Sequence, residues 1–482
     1  MGKLESEQST LTGGPYKEPP RGLGRRKGTV LVVSSLGGFL VTFMGSAINI
    51  ALPLIGAEFK VSAVTLSWVS LAYVLVSGAC LLPAGRLADL YGRVRIFTYG
   101  MVIFSVFALA SAFAPSAPVL LVLRALNGIG LATGSATSTA LVITAYPPHI
   151  RGRALGLNVA CIYSGLTLGP VLGGFIVHQL GWRALFVITG VLGLINVWLP
   201  AKRLLNLDRR HEAAGRFDVI GAAVYAVGLT AVLVGLSFLP ALFGAALTAA
   251  GAAGLGLFVW WEGRASDPLL DMTLFRRNRV FALSNAAALI QYSATAAVVF
   301  LLSLYLQYNR GLDPQKAGLV LVTGSVVQVL LAPLVGRLTD RLERRYLASA
   351  GMAAGVLGIL GLSFAGETTP FWYIIVTLCV LNGGVAFFST PNTHAVMNSV
   401  DTRLVGVASA TLATMRQAGM NLSQGIATMV LALEVGRRAI EPADYPQLLE
   451  SLRISYWIFT ALSLVGVAAC LVGPRRKPRE TE

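Results

Sequence analysis

The stretch from Gly156 to Gly174, GLNVACIYSGLTLGPVLGG, decides how the rest of the chain is interpreted. It lies in an uncharged run from Ala154 to Val177, which is long enough to cross a bilayer as a helix. Glycine lowers helix stability and proline removes a backbone donor, so such a helix needs compensating contacts. The residues that set the pattern are Gly156, Gly165, Gly169, Pro170, Gly173 and Gly174.

Three of these glycines, Gly165, Gly169 and Gly173, recur every fourth residue. This spacing places them on one helix face, where a second helix can approach closely. Pro170 adds a bend that neighbouring groups accommodate inside a membrane protein. Ordinary small-residue packing between helices is the alternative interpretation of any three of these glycines.

The composition indicates an all-α membrane protein. The chain has 482 residues, of which 55% are hydrophobic and 12% are charged. Uncharged apolar runs of about twenty residues recur along it, each matching a membrane-spanning helix. The first 28 residues are polar and basic, so we expect a disordered tail and no cleavable signal. The four cysteines lie singly in apolar runs, which predicts neither a disulfide nor a metal site.

The net charge of +16 follows an alternating pattern along the chain. Basic clusters occur at 86–95, 151–153, 202–216, 264–279, 337–345 and 475–479, and the loops between them carry few basic residues. This distribution is typical of the positive-inside rule and places both termini in the cytoplasm. Topology therefore explains the charge, and we expect no nucleic-acid partner.

The apolar runs predict fourteen spans. The uncharged stretch Val219–Trp261 is too long for one helix, and Pro240 lies where a hairpin between two helices would fall. It supplies spans seven and eight. The other spans are predicted at 29–55, 64–84, 96–115, 118–143, 155–177 and 184–201, and at 280–306, 317–336, 346–365, 371–396, 404–433 and 454–473.

An internal repeat supports this layout. PAGRLAD at 83–89 recurs as PLVGRLTD at 333–340, and LNG at 126–128 recurs at 381–383. The offset is about 250 residues in both cases, which indicates two homologous halves. The predicted organisation is a tail at 1–28, a six-helix bundle at 29–203, a loop with two inserted helices at 204–262, a second six-helix bundle at 263–473 and a basic tail at 474–482.

A charged turn, GRLADLYGRVR at 85–95, lies in a short loop between the second and third predicted spans. Its glycines permit a tight turn, and its aspartate can cap a helix or pair with arginine. A loop that only sets topology would explain the arginines but not the Gly–Asp–Gly spacing. In the second copy, Glu343 replaces the second glycine. The candidate gate residues are Gly85, Asp89, Gly92, Arg93, Gly336, Asp340 and Arg341.

Two arginines fall within predicted spans, Arg124 in the fourth and Arg416 in the thirteenth. An arginine at membrane depth is costly and usually faces a cavity or a partner. The alternative is a structural arginine that donates to backbone carbonyls. His394, near the cytoplasmic end of the twelfth span, is a candidate titrating group, and a structural histidine is the alternative.

Together with the glycine stretch and the charged turn, further strings resemble the major facilitator superfamily, and within it the fourteen-helix drug:proton antiporter branch. These strings are NIALP at 49–53, LRALNG at 123–128, GWR at 181–183, FD at 217–218 with Gly221, YLQ at 305–307, GVAS at 406–409 and MRQ at 415–417. The resemblance implies two six-helix bundles plus two inserted helices. It also implies that the charged turn latches the cytoplasmic side in the outward-open state.

One position departs from that branch, because Met44 stands where a first-span aspartate is usual. No acidic residue falls in the middle of a predicted span, although cation–proton exchange normally uses a buried carboxylate. The polar cavity candidates, many of which we expect to be interhelical hydrogen bonders, are Ser46, Asn49, Tyr73, Asn158, Tyr163, Gln291, Tyr292, Gln328, Asn392 and Asn421.

The predicted function is export of small amphipathic or hydrophobic compounds across the plasma membrane by alternating access. Proton antiport is implied by the resemblance. A uniporter, or an exporter of neutral or anionic metabolites that uses Arg124 and Arg416, is the first alternative, and a non-transporting membrane sensor is the second. The sequence contains no metal-ligand set, phosphate loop or nucleophile triad, so we predict no enzyme and no cofactor. We expect a monomer.

Overall fold

The computed structural model describes residues 26–204, 217–265, 267–270, 272–401 and 404–471. The side chains of residues 148, 149, 151, 152, 199–203, 340, 341, 405, 469 and 471 are outside this description. Most of the predicted N-terminal tail, the basic loop at 205–216 and the C-terminal tail also lie outside the described residues.

The first half of the chain forms six long helices. They are α1 (Lys27–Phe59), α2 (Ala63–Tyr91), α3 (Arg93–Ala112), α4 (Ala117–Ala145), α5 (Pro148–Leu180) and α6 (Trp182–Arg203). The helix α1 begins two residues before the predicted boundary. The stretch Val219–Trp261 divides into α7 (Val219–Ser237) and α8 (Leu242–Glu262), with the turn at Pro240 as predicted.

The second half begins with the short helix α9 (Met272–Arg277). It continues with α10 (Arg279–Thr295), α11 (Val298–Leu304) with a π-helical turn at Tyr305–Asn309, α12 (Pro314–Arg341), α13 (Arg344–Ser363), α14 (Phe371–Asn398), α15 (Val405–Glu434) and α16 (Tyr445–Leu471). Among the described residues, twelve helices are long and apolar enough to cross a membrane. The all-α prediction is confirmed.

The ninth predicted span is broken, which the sequence did not indicate. Between α10 and α11, the backbone N–H of Ala297 donates to the Ser423 Oγ of α15 over 3.0 Å. A side-chain acceptor on another helix thus replaces the usual backbone acceptor at this point. Because 279–309 contains no proline or glycine, the break has no local signal.

The inserted pair packs where the two halves adjoin. Leu229 and Leu233 of α7 lie in one apolar cluster with Leu71 and Leu75 of α2, and Met415 of α15 packs against the same cluster. The helix α8 packs along α7. The inserted pair therefore contacts one helix from each half.

The two halves are in close backbone contact at one end of the bundle. We call the end with the 85–95 turn the motif end and the other the opposite end. At the opposite end, a β-bridge pairs Ser62 with Ala439. There too, α5 crosses α12 so closely that a Cβ added at Gly174 would lie 2.5 Å from the Pro314 carbonyl oxygen.

The faces of α5 and α12 that touch at the opposite end separate towards the motif end. On α5, Gly156 lies on the face that carries Pro170 and Gly174, because the spacings of fourteen and eighteen residues are near whole turns. On α12, Gly336 shares a face with Gly318 for the same reason. A Cβ on Gly156 or Gly336 would meet nothing within 4 Å, whereas one on Gly318 would lie 2.2 Å from the Pro170 carbonyl oxygen. Within the described residues, the structure is therefore closed at the opposite end and open at the motif end.

Candidate functional site

The glycine ridge of α5, which consists of Gly165, Gly169 and Gly173, lies directly against α1. A Cβ on Gly165 would lie 2.5 Å from the Phe39 carbonyl oxygen, and one on Gly173 would lie 2.7 Å from the Ala47 Cβ. A Cβ on Gly169 would lie 3.1 Å from the Ala47 backbone nitrogen. There is no room for a side chain at these three positions, so the close approach of α1 and α5 requires glycine.

Pro170 leaves the carbonyl of Leu166 without its usual backbone donor, since proline has no N–H. The Ser46 hydroxyl on α1 donates to this carbonyl over 3.0 Å. One turn earlier, the Thr42 hydroxyl donates to the Ile162 carbonyl over 2.9 Å. Ser46, predicted as a cavity candidate, therefore satisfies the carbonyl that Pro170 leaves free in α5.

A second proline, Pro53 on α1, also leaves a backbone carbonyl without a donor, and this carbonyl is bonded from the other half. Without a proline N–H, the Asn49 carbonyl is free, and the Ser303 hydroxyl of α11 donates to it over 2.8 Å. Gln307 Nε2 donates to the Ile50 carbonyl over 3.2 Å. The predicted strings 49–53 and 305–307 thus meet at the seam between the halves. The Asn49 side chain accepts a hydrogen bond from Ser70 within the first half.

The gate candidates of the first copy form contacts within the first half. Asp89 pairs with Arg93 at 2.9 Å, and Arg93 Nη1 donates to the Thr144 hydroxyl of α4 over 2.6 Å. Gly92 has a φ of 106°, which favours glycine. A Cβ on Gly85 would meet nothing within 4 Å.

Within the same turn, Arg86 pairs with Asp267 at 3.4 Å, a contact that the sequence did not predict. Asp267 lies in the segment that follows α8. In the second copy, the side chains of Asp340 and Arg341 lie outside the described residues. The latch role of these gate residues stays a prediction.

Arg124 is fully buried inside the first half. Its Nε donates to the Val69 carbonyl over 3.1 Å, and its Nη1 donates to Asn127 Oδ1 over 3.3 Å. The guanidinium lies 4.1 Å from the centre of the Tyr73 ring, and the Tyr73 hydroxyl donates to the Val41 carbonyl. This geometry favours the structural interpretation of Arg124 and places Tyr73 in the same core.

Arg416 lies in the seam and is only half-buried. Its Nη2 donates to the Thr393 hydroxyl of α14 over 2.6 Å, and its guanidinium lies 5.6 Å from the centre of the Tyr292 ring of α10. Tyr163, on the α5 face that carries Pro170, interacts with Arg416 and with Tyr292. Four helices from both halves therefore meet around one guanidinium. We call Tyr163, Tyr292, Thr393 and Arg416 the seam cluster.

The structure brings two of the polar candidates, Tyr163 and Tyr292, to Arg416. Thr393 was missed in the sequence, where a threonine in an apolar helix carries no distinct signal. The remaining candidates lie elsewhere. Gln291 is buried facing Gly355 of α13, Asn392 is buried, Gln328 is half-buried on α12, and His394 is exposed; Asn158 bonds to Ser35 and Ser138, and Asn421 packs near Gly78.

The cluster has a cation but no carboxylate. Within the described ranges, no ion pair involves Arg124 or Arg416. The described acidic residues lie within the first or last two turns of helices or in connecting segments. Met44 is fully buried, and the Thr189 hydroxyl of α6 lies 3.6 Å from its sulfur. An unpaired guanidinium beside two tyrosines can bind an anionic or a polar aromatic group.

Two helical halves, closed at one end and enclosing a half-buried charged cluster, define a polytopic membrane transporter. The chain matches the family model described as Major Facilitator Superfamily over residues 34–424 and 285–482. It belongs to the major facilitator superfamily, whose members are transporters and not enzymes.

The chain is similar over most of its length to several named transport proteins. It is 33% identical over 417 residues to the multidrug resistance protein Stp of Mycobacterium tuberculosis, covering 85% of this chain and 77% of that protein. It is 28% identical over 448 residues to the riboflavin transporter RibZ of Clostridioides difficile, covering 92% and 96% of the two chains. The crystal structure of a D-xylose-proton symporter matches with a TM-score of 0.65 and 16% identity over 93% of this chain and 98% of that chain, which shows the shared fold.

Proposed function

We propose that this protein exports small amphipathic or hydrophobic compounds from the cytoplasm by alternating access, in exchange for protons. The observation that carries the proposal is the seam cluster. Arg416 of the second half faces Tyr163 of the first half, in a seam that is closed at the opposite end and open at the motif end. A substrate bound there would contact both halves, so their rocking would expose it to each side in turn.

Export is supported by the relative named as a multidrug resistance protein and by the glycine ridge, which resembles that of drug antiporters. The seam cluster narrows the range of compounds. Because Arg416 has no carboxylate partner in the described part of the chain, the site favours neutral or anionic compounds over cations. The relative named for riboflavin, a flat aromatic compound, is consistent with the two tyrosines at this site.

We further propose fourteen spans, with the motif end and both termini in the cytoplasm of a plasma-membrane monomer. The helices α6 and α15 are added to the twelve apolar helices, because they are 22 and 30 residues long. A topology reporter fused at Pro240 is expected to report the outside, while fusions at Asp267 and Arg345 report the cytoplasm. A cytoplasmic signal at Pro240 would exclude the fourteen-span arrangement.

The test of function is transport in reconstituted vesicles with a panel of anionic, neutral and cationic aromatic compounds. Each compound is measured with and without an imposed pH gradient. We expect movement of neutral or anionic compounds that the gradient accelerates in one direction. Transport that ignores the gradient would favour the uniporter, and exclusive transport of cations would contradict the role given to Arg416.

A further inference from the structure

Two carboxylates meet at the base of the inserted helix pair. Asp218 caps α7, accepting from the Gly221 N–H at 2.8 Å and from Trp261 Nε1 at 2.8 Å. Glu262 ends α8 and is only 2% exposed. Its Oε2 accepts from the Leu270 N–H at 3.0 Å, while its buried Oε1 has no hydrogen-bond partner. An unmade hydrogen bond at a buried carboxylate oxygen is costly.

The unpartnered oxygen and an oxygen of the second carboxylate approach the same glycine, Gly221. A Cβ added at Gly221 would lie 2.5 Å from Asp218 Oδ2 and 2.6 Å from Glu262 Oε1, so both oxygens lie within 2.6 Å of one point beside this glycine. Asp218 is the charged side chain that acts on Glu262, whose other partners are the backbone N–H groups of Leu269 and Leu270. Two carboxylates this close, one of them buried, favour holding one proton between them.

We propose that Glu262 and Asp218 form a proton-binding site, with the proton on Glu262 Oε1. The proton would make Oε1 a hydrogen-bond donor instead of an unpaired acceptor, and it would remove the repulsion between the two carboxylates. Proton binding here is independent of the proposed function, whereas its use as the exchanged proton rests on it. The site lies at the motif end, not in the seam cluster, so the proton and the substrate would occupy different places.

The segment after Glu262 connects this site to the charged turn at the end of α2. Leu270, whose N–H binds Glu262, packs in the apolar cluster with Leu75 and Leu82 of α2. Asp267, in the same segment, pairs with Arg86 four residues beyond Leu82. The helix α7 also packs on both α2 and α15. A change in the charge of Glu262 can therefore alter the contacts that this segment makes with α2 and with the charged turn at its end.

The direct test is infrared difference spectroscopy of the purified full chain during a pH titration, without any transported compound. The wild-type protein is expected to show one buried carboxylic acid that forms on acidification. Glu262→Gln should lose this band, because glutamine keeps an acceptor for Leu270 but cannot titrate. Asp218→Asn should keep the band with its midpoint moved to lower pH, since the neighbouring charge is gone while asparagine still caps α7.

Asp267→Asn is the matched control, because it leaves both carboxylates of the site in place and should retain the wild-type titration. A full band in Glu262→Gln, or an unmoved midpoint in Asp218→Asn, would overturn the proton site. A second arm uses vesicles, where Glu262→Gln should lose acceleration by a pH gradient. If the wild type itself moves no compound, the proposed function fails while the spectroscopic result still decides the proton site.

Discussion

Replacing Gly169 or Gly173 by leucine is expected to abolish transport while the protein still inserts into the membrane. The reason is the contact with α1, where a Cβ on Gly169 would lie 2.6 Å from the Ser46 Cβ. Overpacking of this kind costs about 1–3 kcal/mol or more, and here the contacted atoms include the backbone of Ala47. We expect vesicle transport at background level with normal amounts of protein in the membrane fraction.

Gly256→Leu is the matched control, because Gly256 is also a glycine within a long apolar helix, α8, but has open space around its Cα and lies away from the seam. This variant should retain most of the wild-type transport rate. Full activity in both Gly169→Leu and Gly173→Leu would show that the α1–α5 contact is not required. Equal loss in all three variants would show that the effect comes from helix content and not from close approach.

The second large effect is expected at Arg416. Arg416→Gln removes the charge of the seam cluster but keeps a donor for Thr393, so folding should be preserved. A hydrogen bond to a charged group contributes about 1.5–3 kcal/mol, which corresponds to a loss of roughly 10- to 100-fold in transport of an anionic compound. The rate for a neutral compound should fall less. The measurement is initial efflux rate at subsaturating concentration in vesicles.

Arg124 provides the comparison, because it is also an arginine within a membrane helix. Arg124→Ala leaves a cavity beside Tyr73 and removes hydrogen bonds to Val69 and Asn127. We expect a loss of stability of about 2–5 kcal/mol, seen as a lower unfolding temperature in detergent. Arg416→Gln should leave that temperature unchanged. A stable, active Arg416→Gln variant would contradict the site, and a stable but inactive Arg124→Ala variant would return Arg124 to the list of functional residues.

Much of the architecture was predictable because single helices carry their own signals. The uncharged stretch Val219–Trp261 with a central proline predicted two helices, and the spacing of Gly165, Gly169 and Gly173 predicted a close helix contact. Both depend on length and periodicity, which are local properties. The structure adds which helix fills the contact, namely α1.

The assembly of the site was not predictable from the same signals. Arg124 and Arg416 have the same appearance in the sequence, yet one is fully buried and the other faces the seam, because neighbouring helices decide burial. Asp218 and Glu262, which both approach Gly221, are 44 positions apart across an inserted hairpin. The break at Ala297 depends on Ser423, which is 126 positions away.

The central claim is that the two halves rock around the seam cluster. The most direct test is to measure distances between pairs of spin labels by pulsed electron–electron double resonance. In a chain whose four cysteines are replaced, one pair joins the motif end at Tyr91 and Tyr346, and the other joins the opposite end at Phe113 and Phe364, all exposed positions. On addition of a transported compound, the motif-end distance should shorten while the opposite-end distance lengthens. Two distances that stay fixed, or that change in the same direction, would contradict alternating access in this protein.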